Sequence, residues 1–162
     1  MATEREVLTW QMFGSAVDHL AHRVVDDGFE PDIVLSVARG GLALGMGLGY
    51  ALDVKNVFTV NVEFYTGIDE RLEVPIMLPP VPHAVDLAGL NVLIADDIAD
   101  TGLTLRHVQQ FCEGHVADVR TAVVFEKSRS AVKPDYVWKA TEAWVDFPWS
   151  DREPLRKRAS TG

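Results

Sequence analysis

An α/β fold with a mostly parallel central sheet flanked by helices is predicted by three features of this 162-residue sequence. Short apolar, β-branched runs alternate with segments of helical periodicity, the pattern of strands joined by crossover helices. The chain length suits one domain, since single domains cluster near ~100–200 residues. The two most unusual stretches, Ala38–Gly41 and Asp96–Thr104, each follow an apolar run. In parallel sheets ligands gather outside the carboxyl ends of the strands, so these two stretches point to a site.

Thr9 reads as the N-cap of a first helix, with Trp10, Phe13, Val17, Leu20 and Val24 at helical spacing and Gly28 as its stop. Pro31 resets the chain, and Ile33–Val37 is a buried strand by its apolar, β-branched composition. Gly40 and Gly41 open a second helix running to about Leu52, and Val57–Val62 is the next strand. From Glu63 to Asp86 the pattern is broken by Gly67, Pro75, Pro79, Pro80 and Pro82, which predicts a long loop of the kind that forms functional lids. After a turn at Gly89 come a strand at Val92–Ala95, an acidic stretch, a helix over about Leu103–Glu113 and a strand at Val119–Phe125. Tyr136–Trp149 reads as aromatic and irregular, and Asp151–Gly162 as a charged, frayed tail.

Composition narrows the function classes. With 48% hydrophobic and 24% charged residues the chain is an ordinary globular protein. Cys112 is the single cysteine, which excludes a disulfide framework and a multi-cysteine metal site and suits a reducing cytosol. Glu4 and Glu6 near the start, with no apolar stretch after them, give no expectation of a signal peptide. No run approaches the ~20 apolar residues that span a bilayer. A net charge of −9 opposes binding to a phosphate backbone, so no nucleic-acid partner and no membrane partner is expected.

Familiar motifs fail. Gly45, Gly47 and Gly49 do not make the G-x-G-x-x-G pattern, and Met46 stands where a phosphate-binding loop of the G-x-x-x-x-G-K type needs lysine. His19 and His22 share a helix face without a third ligand, so they read as solvent-exposed. The acidic stretch Val92-Leu93-Ile94-Ala95-Asp96-Asp97-Ile98-Ala99-Asp100-Thr101-Gly102-Leu103-Thr104 is different: an apolar strand ends on two carboxylates, and a small-residue turn leads into a helix. The helix amides and the hydroxyls of Thr101 and Thr104 suit a phosphate. A structural account makes Asp100 or Thr101 a helix N-cap, but leaves Asp96 and Asp97 without partners. A sugar diol with a magnesium ion satisfies both.

A phosphate cradle beside a diol-binding acid pair fits a ribose 5-phosphate, and here the sequence resembles the type I phosphoribosyltransferases. Their signature for 5-phosphoribosyl 1-pyrophosphate (PRPP) is an apolar strand, two acids and an acid-Thr-Gly-x-Thr loop. The resemblance extends to the short bacterial xanthine-guanine and hypoxanthine phosphoribosyltransferases through Val7–Trp10, Ser36–Leu42, Tyr65, Phe125–Lys127 and Trp144–Trp149. It implies the type I phosphoribosyltransferase fold, a single domain over 1–162 with a core at about 11–126. A small hood would come from about 1–10 and 127–150, followed by a charged tail at 151–162. It implies a cytoplasmic homodimer or homotetramer that uses Mg2+ and transfers phosphoribose from PRPP to a 6-oxopurine base in purine salvage, giving a nucleoside monophosphate and pyrophosphate.

Carried onto this sequence, the resemblance implies that Arg39 and the amides of Gly40 and Gly41 hold pyrophosphate. Alone, these three residues also fit a plain surface turn. Asp96 and Asp97 bind the ribose hydroxyls, Asp97 also the metal. Ala99 and Asp100 through Thr101, Gly102, Leu103 and Thr104 line the ribose 5-phosphate, with Asp100 taking the proton at purine N7. Lys127 donates to the 6-oxo group, Trp144 stacks on the base, and the Val145 backbone reads its edge. The surrounding aromatics also fit a hydrophobic minicore. Leu103 stands where relatives often have Lys or Gly, and Ser150 where close relatives have an acid that reads the purine 2-position; Asp146 and Asp151 lie nearby. Two other readings stay open: a PRPP- or nucleotide-sensing regulatory protein, which for RNA would need a basic patch, and a transferase for another base such as a pyrimidine.

Overall fold

The computed structural model describes residues 3–66, 73–78 and 84–158. A short strand, β1 (Arg5–Val7), leads to α1 (Trp10–Asp26), whose first turn is capped by Thr9: its Oγ1 accepts the Met12 amide at 3.1 Å. Gly28, at φ 73°, ends the helix as expected. The buried stripe is Phe13, Ala16, Leu20, Ala21 and Val24, so the inner face includes two alanines and leaves Trp10 59% exposed. His19 and His22 are exposed, His22 beside Asp18.

The α/β alternation follows: β2 (Ile33–Ala38), α2 (Gly41–Ala51), β3 (Val57–Thr66), β4 (Glu73–Leu78), β5 (Asn91–Ala99), α3 (Leu103–Cys112), β6 (Asp118–Glu126), β7 (Tyr136–Ala140) and β8 (Trp144–Asp146). A 3-10 turn at Ala84–Leu87 precedes β5. Six strands form one sheet in the order β4-β3-β2-β5-β6-β7, parallel throughout except for β4. Leu20, Val24, Leu44, Leu48, Leu93 and Val124 pack α1 and α2 on one face of the sheet. Leu35, Ile94, Leu105, Val108 and Val123 pack α3 on the other. The sheet is therefore covered on both sides, which is why its strands read as continuous apolar runs. No helix among the described residues is long and apolar enough to cross a membrane.

Two expectations need correction. The segment read as a long loop from Glu63 to Asp86 contains an antiparallel hairpin: β3 runs on to Thr66 and pairs with β4, Phe64 opposite Pro75. Proline is tolerated there because β4 is the sheet edge, where a missing N–H breaks no ladder on the open side. Residues 67–72 and 79–83 of that segment, and the Tyr65 side chain, lie outside the described residues. Tyr136–Trp149 is not irregular either. β7 extends the main sheet beside β6, and β8 pairs with β1 in a separate two-stranded parallel sheet, Glu6 opposite Val145. The Arg5–Asp146 and Lys139–Glu6 ion pairs flank that small sheet. Residues 151–158 of the tail form no helix or strand and are exposed; 159–162 lie outside the described residues.

Candidate active site

From β2 the chain builds outward through β3 and β4, and from β5 it builds the other way through β6 and β7. The strand order thus reverses between β2 and β5, the place where open α/β sheets form a ligand crevice. Here the crevice has a definite origin. Pairing between β2 and β5 ends at Ser36 and Ala95, whereas β5 stays paired with β6 as far as Ala99 opposite Glu126. The expected end of the strand before the acids is therefore corrected: Asp96 and Asp97 lie within β5, their backbone held by β6.

Alternation along β5 gives the two carboxylates different surroundings. Asp96 follows Val92 and Ile94 on the α3 side and is 8% exposed, while Asp97 follows Leu93 and Ala95 on the α2 side and is partly buried. The Asp97 amide donates to Asp96 Oδ1 at 2.8 Å. Burial pushes the Asp96 carboxyl well above its ordinary range, and the neighbouring Asp97 charge pushes the same way. Burial raises Asp97 as well. Both shifts favour the protonated form, and a donor or cation brought to the pair would oppose them.

The glycine pair at the start of α2 is set by this strand. A Cβ on Gly40 would lie 2.1 Å from Asp97 Oδ2, and one on Gly41 would lie 2.4 Å from the Ala95 carbonyl oxygen. Both glycines let the β2–α2 turn approach β5. Arg39 is exposed at the same turn, following a cis Ala38–Arg39 peptide.

On the other wall stands the N-terminus of α3. Neither Asp100 nor Thr101 is its cap: Gly102 holds that position at φ 78°, with no side-chain cap bond. Its conformation and surroundings both demand glycine, because a Cβ would meet the Ala131 and Val132 amide nitrogens at 2.8 Å. Thr101 Oγ1 accepts the Leu103 amide only weakly, at 3.4 Å. The first amides of α3 thus remain available to an anion. Gly40, Asp96, Asp97, Ala99, Asp100, Thr101, Gly102 and Thr104 line one cavity of about 280 Å3 between these walls. Leu103 is exposed beside it, and a charge there is absent as the sequence implied.

The residues expected around a base lie on the flanking segment. The Lys127 amide donates to the Ala99 carbonyl at 3.0 Å, which seats Lys127 beside the cavity. Trp144 and Val145 belong to β8, and the Trp144 amide donates to the Glu4 carbonyl at 2.9 Å. Trp144 is 59% exposed, and no other aromatic ring among the described residues packs on it. The aromatic cluster divides accordingly. Phe147 stacks on Trp149 at 5.0 Å, and Trp149 meets Trp10 and Phe13 in a minicore. Ser150 is exposed in the turn after β8, its amide on the Phe147 carbonyl. None of Lys127, Trp144, Val145 and Ser150 lines the cavity itself.

One residue escaped the sequence reading. Arg129 grips Asp100 through Nε at 2.7 Å and Nη2 at 2.5 Å, both on Oδ1. A surface arginine 29 residues away in sequence gives no signal of its own.

Comparison with known proteins identifies the family to which this fold belongs. Residues 4–152 match the phosphoribosyl transferase domain family. A purine phosphoribosyltransferase from Pyrococcus horikoshii is 34% identical, with a TM-score of 0.83 over 94% of this chain and 99% of that one. The xanthine-guanine phosphoribosyltransferase of Ruegeria sp. (strain TM1040) is 28% identical over 154 residues, covering 88% of this chain and 83% of its own. The Helicobacter pylori xanthine-guanine-hypoxanthine phosphoribosyltransferase, 23% identical, shares the fold at a TM-score of 0.76 over 90% of this chain and 94% of its own. With nearly the whole chain matched, the protein belongs to the phosphoribosyltransferase family and is a PRPP-dependent glycosyltransferase.

Proposed function

We propose that this enzyme is a magnesium-dependent 6-oxopurine phosphoribosyltransferase of purine salvage. It joins hypoxanthine, guanine or xanthine to PRPP and releases a nucleoside 5′-monophosphate and pyrophosphate. The observation that carries this reading is the single cavity in which Asp96, Asp97 and the uncapped start of α3 meet the Gly40 turn. The names of the relatives support the purine base.

In this reading Thr101 to Thr104 hold the 5-phosphate, and the ribose hydroxyls donate to Asp96 and Asp97. Arg39 with the amides of Gly40 and Gly41 takes the pyrophosphate. Among the described residues no group of three or more His, Cys, Asp or Glu side chains gathers into a metal site. The chain's acid pair suits Mg2+ on those terms, because that ion commonly takes one or two carboxylates and completes its shell with water and substrate oxygens. Asp97 would hold the ion, which would supply positive charge beside the pyrophosphate. As the bond from C1′ to pyrophosphate breaks and the bond from C1′ to the base nitrogen forms, Asp100 receives the N7 proton. Lys127 donates to the 6-oxo group, Trp144 covers one face of the ring, and Val145 and Ser150 border its edge. The β3–β4 hairpin extends past the last β2 residue, Ala38, which pairs with Asn61, and so provides cover on the pyrophosphate side.

The domain reading is one unit over 1–162, with core, hood and tail divided as the resemblance implied, and the location is the cytoplasm. The assembly is a homodimer or homotetramer. The outer face of the charge-free α2 supports that reading: Leu42, Met46 and Tyr50 are exposed at four-residue spacing beside Val57 and Phe58 of β3. The groove there, about 560 Å3, is rimmed by Asp53 and Lys55, one charge of each sign. Sedimentation of Met46→Glu should show dissociation to monomers; a monomeric parent would refute the assembly.

The test of the activity is nucleotide formation from PRPP, Mg2+ and each of hypoxanthine, guanine, xanthine, adenine and uracil. Product from the 6-oxopurines alone is expected. Turnover of uracil or adenine in their place would overturn the base assignment, and PRPP binding without any turnover would favour a regulatory role.

A further inference from the structure

We infer that Arg129 is a positioning residue that acts through Asp100, setting which carboxylate oxygen faces the base; this rests on the reading of Asp100 as the acceptor of the N7 proton. Both guanidinium contacts fall on Oδ1, from Nε at 2.7 Å and Nη2 at 2.5 Å. Among the described residues no hydrogen bond is made to Oδ2. A carboxylate held by one oxygen in a planar, two-nitrogen grip loses its freedom to rotate and presents the other oxygen in a fixed direction. That is the arrangement a proton acceptor needs, because a small misplacement of the reacting atoms costs rate rather than binding.

The grip is itself anchored. The loop that carries Arg129 is tied to the Asp100 loop by two backbone bonds, Lys127 amide to Ala99 carbonyl at 3.0 Å and Ala131 amide to Thr101 carbonyl at 2.8 Å. Ser130 Oγ donates to the Val132 carbonyl at 2.6 Å and fills the space left by the missing Cβ of Gly102. On its far side the Ser128 amide donates to Glu142 Oε1 at 2.8 Å, joining the loop to the turn before β8. Lys127, which faces the 6-oxo group in the proposed function, and Arg129 therefore ride on one braced loop. A base that seats on Lys127 finds the free oxygen of Asp100 already placed.

Stability does not account for the pair. The Arg129 and Asp100 side chains are 61% and 41% exposed, and ion pairs at such exposure contribute little to folding. Loss of the guanidinium should therefore appear in turnover.

Kinetics of Arg129→Ala, Arg129→Lys, Asp100→Asn and Arg129→Ala/Asp100→Asn test the inference. Arg129→Ala should lower kcat by roughly tenfold or more while the KM values for PRPP and base change little. Arg129→Lys should recover only part of that loss, since an ammonium cannot make the two-nitrogen grip. Added guanidinium ion should restore turnover to Arg129→Ala. In the Asp100→Asn background the arginine change should cost almost nothing more, as expected of two groups acting as one unit. Unchanged or raised kcat in Arg129→Ala, with Asp100→Asn strongly impaired, overturns the role of Arg129 and leaves Asp100 as the proton acceptor. So do losses that multiply in the double variant. If Asp100→Asn keeps full turnover, both the inference and the reading beneath it fail.

Discussion

The α-carbon of Gly40 faces the Asp97 carboxylate so closely that a methyl group at position 40 would stand 2.1 Å from Oδ2. The obstacle is the end of a side chain, which can rotate away. At Gly41 the obstacle is backbone, the Ala95 carbonyl oxygen at 2.4 Å, which cannot. The two alanine variants should therefore separate function from folding. Gly40→Ala should keep its melting temperature within a few degrees and lose PRPP affinity about tenfold or more, because Asp97 is turned out of place. Gly41→Ala should be destabilised by about 1–3 kcal/mol from overpacking. Calorimetry and thermal unfolding decide it. Normal PRPP affinity in Gly40→Ala would show that the Asp97 rotamer is irrelevant to binding.

Proton linkage follows from the buried acid pair. Burial raises the Asp96 pKa well above the ordinary 3.8, so the folded chain holds this proton more tightly than the unfolded chain does. Between the ordinary and the raised value the native state binds more protons, and stability falls as pH rises. The contribution is whole below about pH 4 and is lost as pH climbs through the folded value. Asp96→Asn removes the titrating group in a side chain of the same shape. Its melting temperature relative to wild type should rise steadily with pH above that point in the absence of ligand. PRPP with Mg2+, which favours the ionised pair, should release protons, seen as a binding heat that depends on the buffer. A parallel pH dependence of the two proteins would mean that the pair is ionised before ligand arrives.

The β5–α3 half of the site was legible because everything it needs is contiguous: strand, acids, small-residue turn and helix start follow one another within Val92–Thr104. The same local logic revealed Thr9 as a cap and Gly28 as a stop. What stayed hidden was non-local. Among the described residues the three-residue strands β1 and β8 pair only with each other, Arg5 opposite Trp144, and neither is long enough to show a period. The β3–β4 hairpin was hidden by Pro75, whose harmlessness depends on the edge position that only the assembled sheet reveals. The strand continuing through Asp96–Ala99 was missed because β6, not local propensity, holds those residues extended. Trp144 and Trp149 look alike in the sequence, yet one is exposed and the other packs in a minicore.

Metal dependence should be carried by Asp97. It is the less buried of the two acids and lies on the Gly40 side, toward the proposed pyrophosphate turn. Asp97→Asn keeps the shape and removes the charge, so PRPP affinity measured with Mg2+ should fall at least tenfold, about 1.4 kcal/mol. In EDTA the wild type should lose activity, while binding of PRPP to Asp97→Asn should respond little to the metal. Full activity in EDTA would remove Mg2+ from the mechanism.

Base preference in the proposed function rests on Lys127, Trp144 and Ser150. Lys127 has donors only, so in its proposed place beside the 6-position it would favour a 6-oxo acceptor over the 6-amino group of adenine. Trp144 has a free face, and stacking on an aromatic is worth about 1–3 kcal/mol per base in single-strand binders, a benefit open to any purine. Discrimination among the 6-oxopurines therefore falls to the 2-position. Ser150, the residue proposed to border that position, is exposed and neutral, with its amide committed to the Phe147 carbonyl. An acid at this place would accept from the guanine amino group and be left unpaired by hypoxanthine; a serine is not penalised in that way. Hypoxanthine should thus be used at least as well as guanine, and Ser150→Asp should shift kcat/KM toward guanine. Asp151 is the neighbouring acid, exposed like Ser150 and two residues after Trp149, whose ring packs against Phe147 and Phe13. With Ser150 reading the 2-position as proposed, Asp151→Ala should leave the ratio of kcat/KM for the two bases within about threefold of wild type, well under the 1.4 kcal/mol of a tenfold change. A large loss of guanine preference in Asp151→Ala would assign the reading of the 2-position to Asp151, and a wild-type preference for guanine above tenfold that neither substitution alters would place it on another residue altogether.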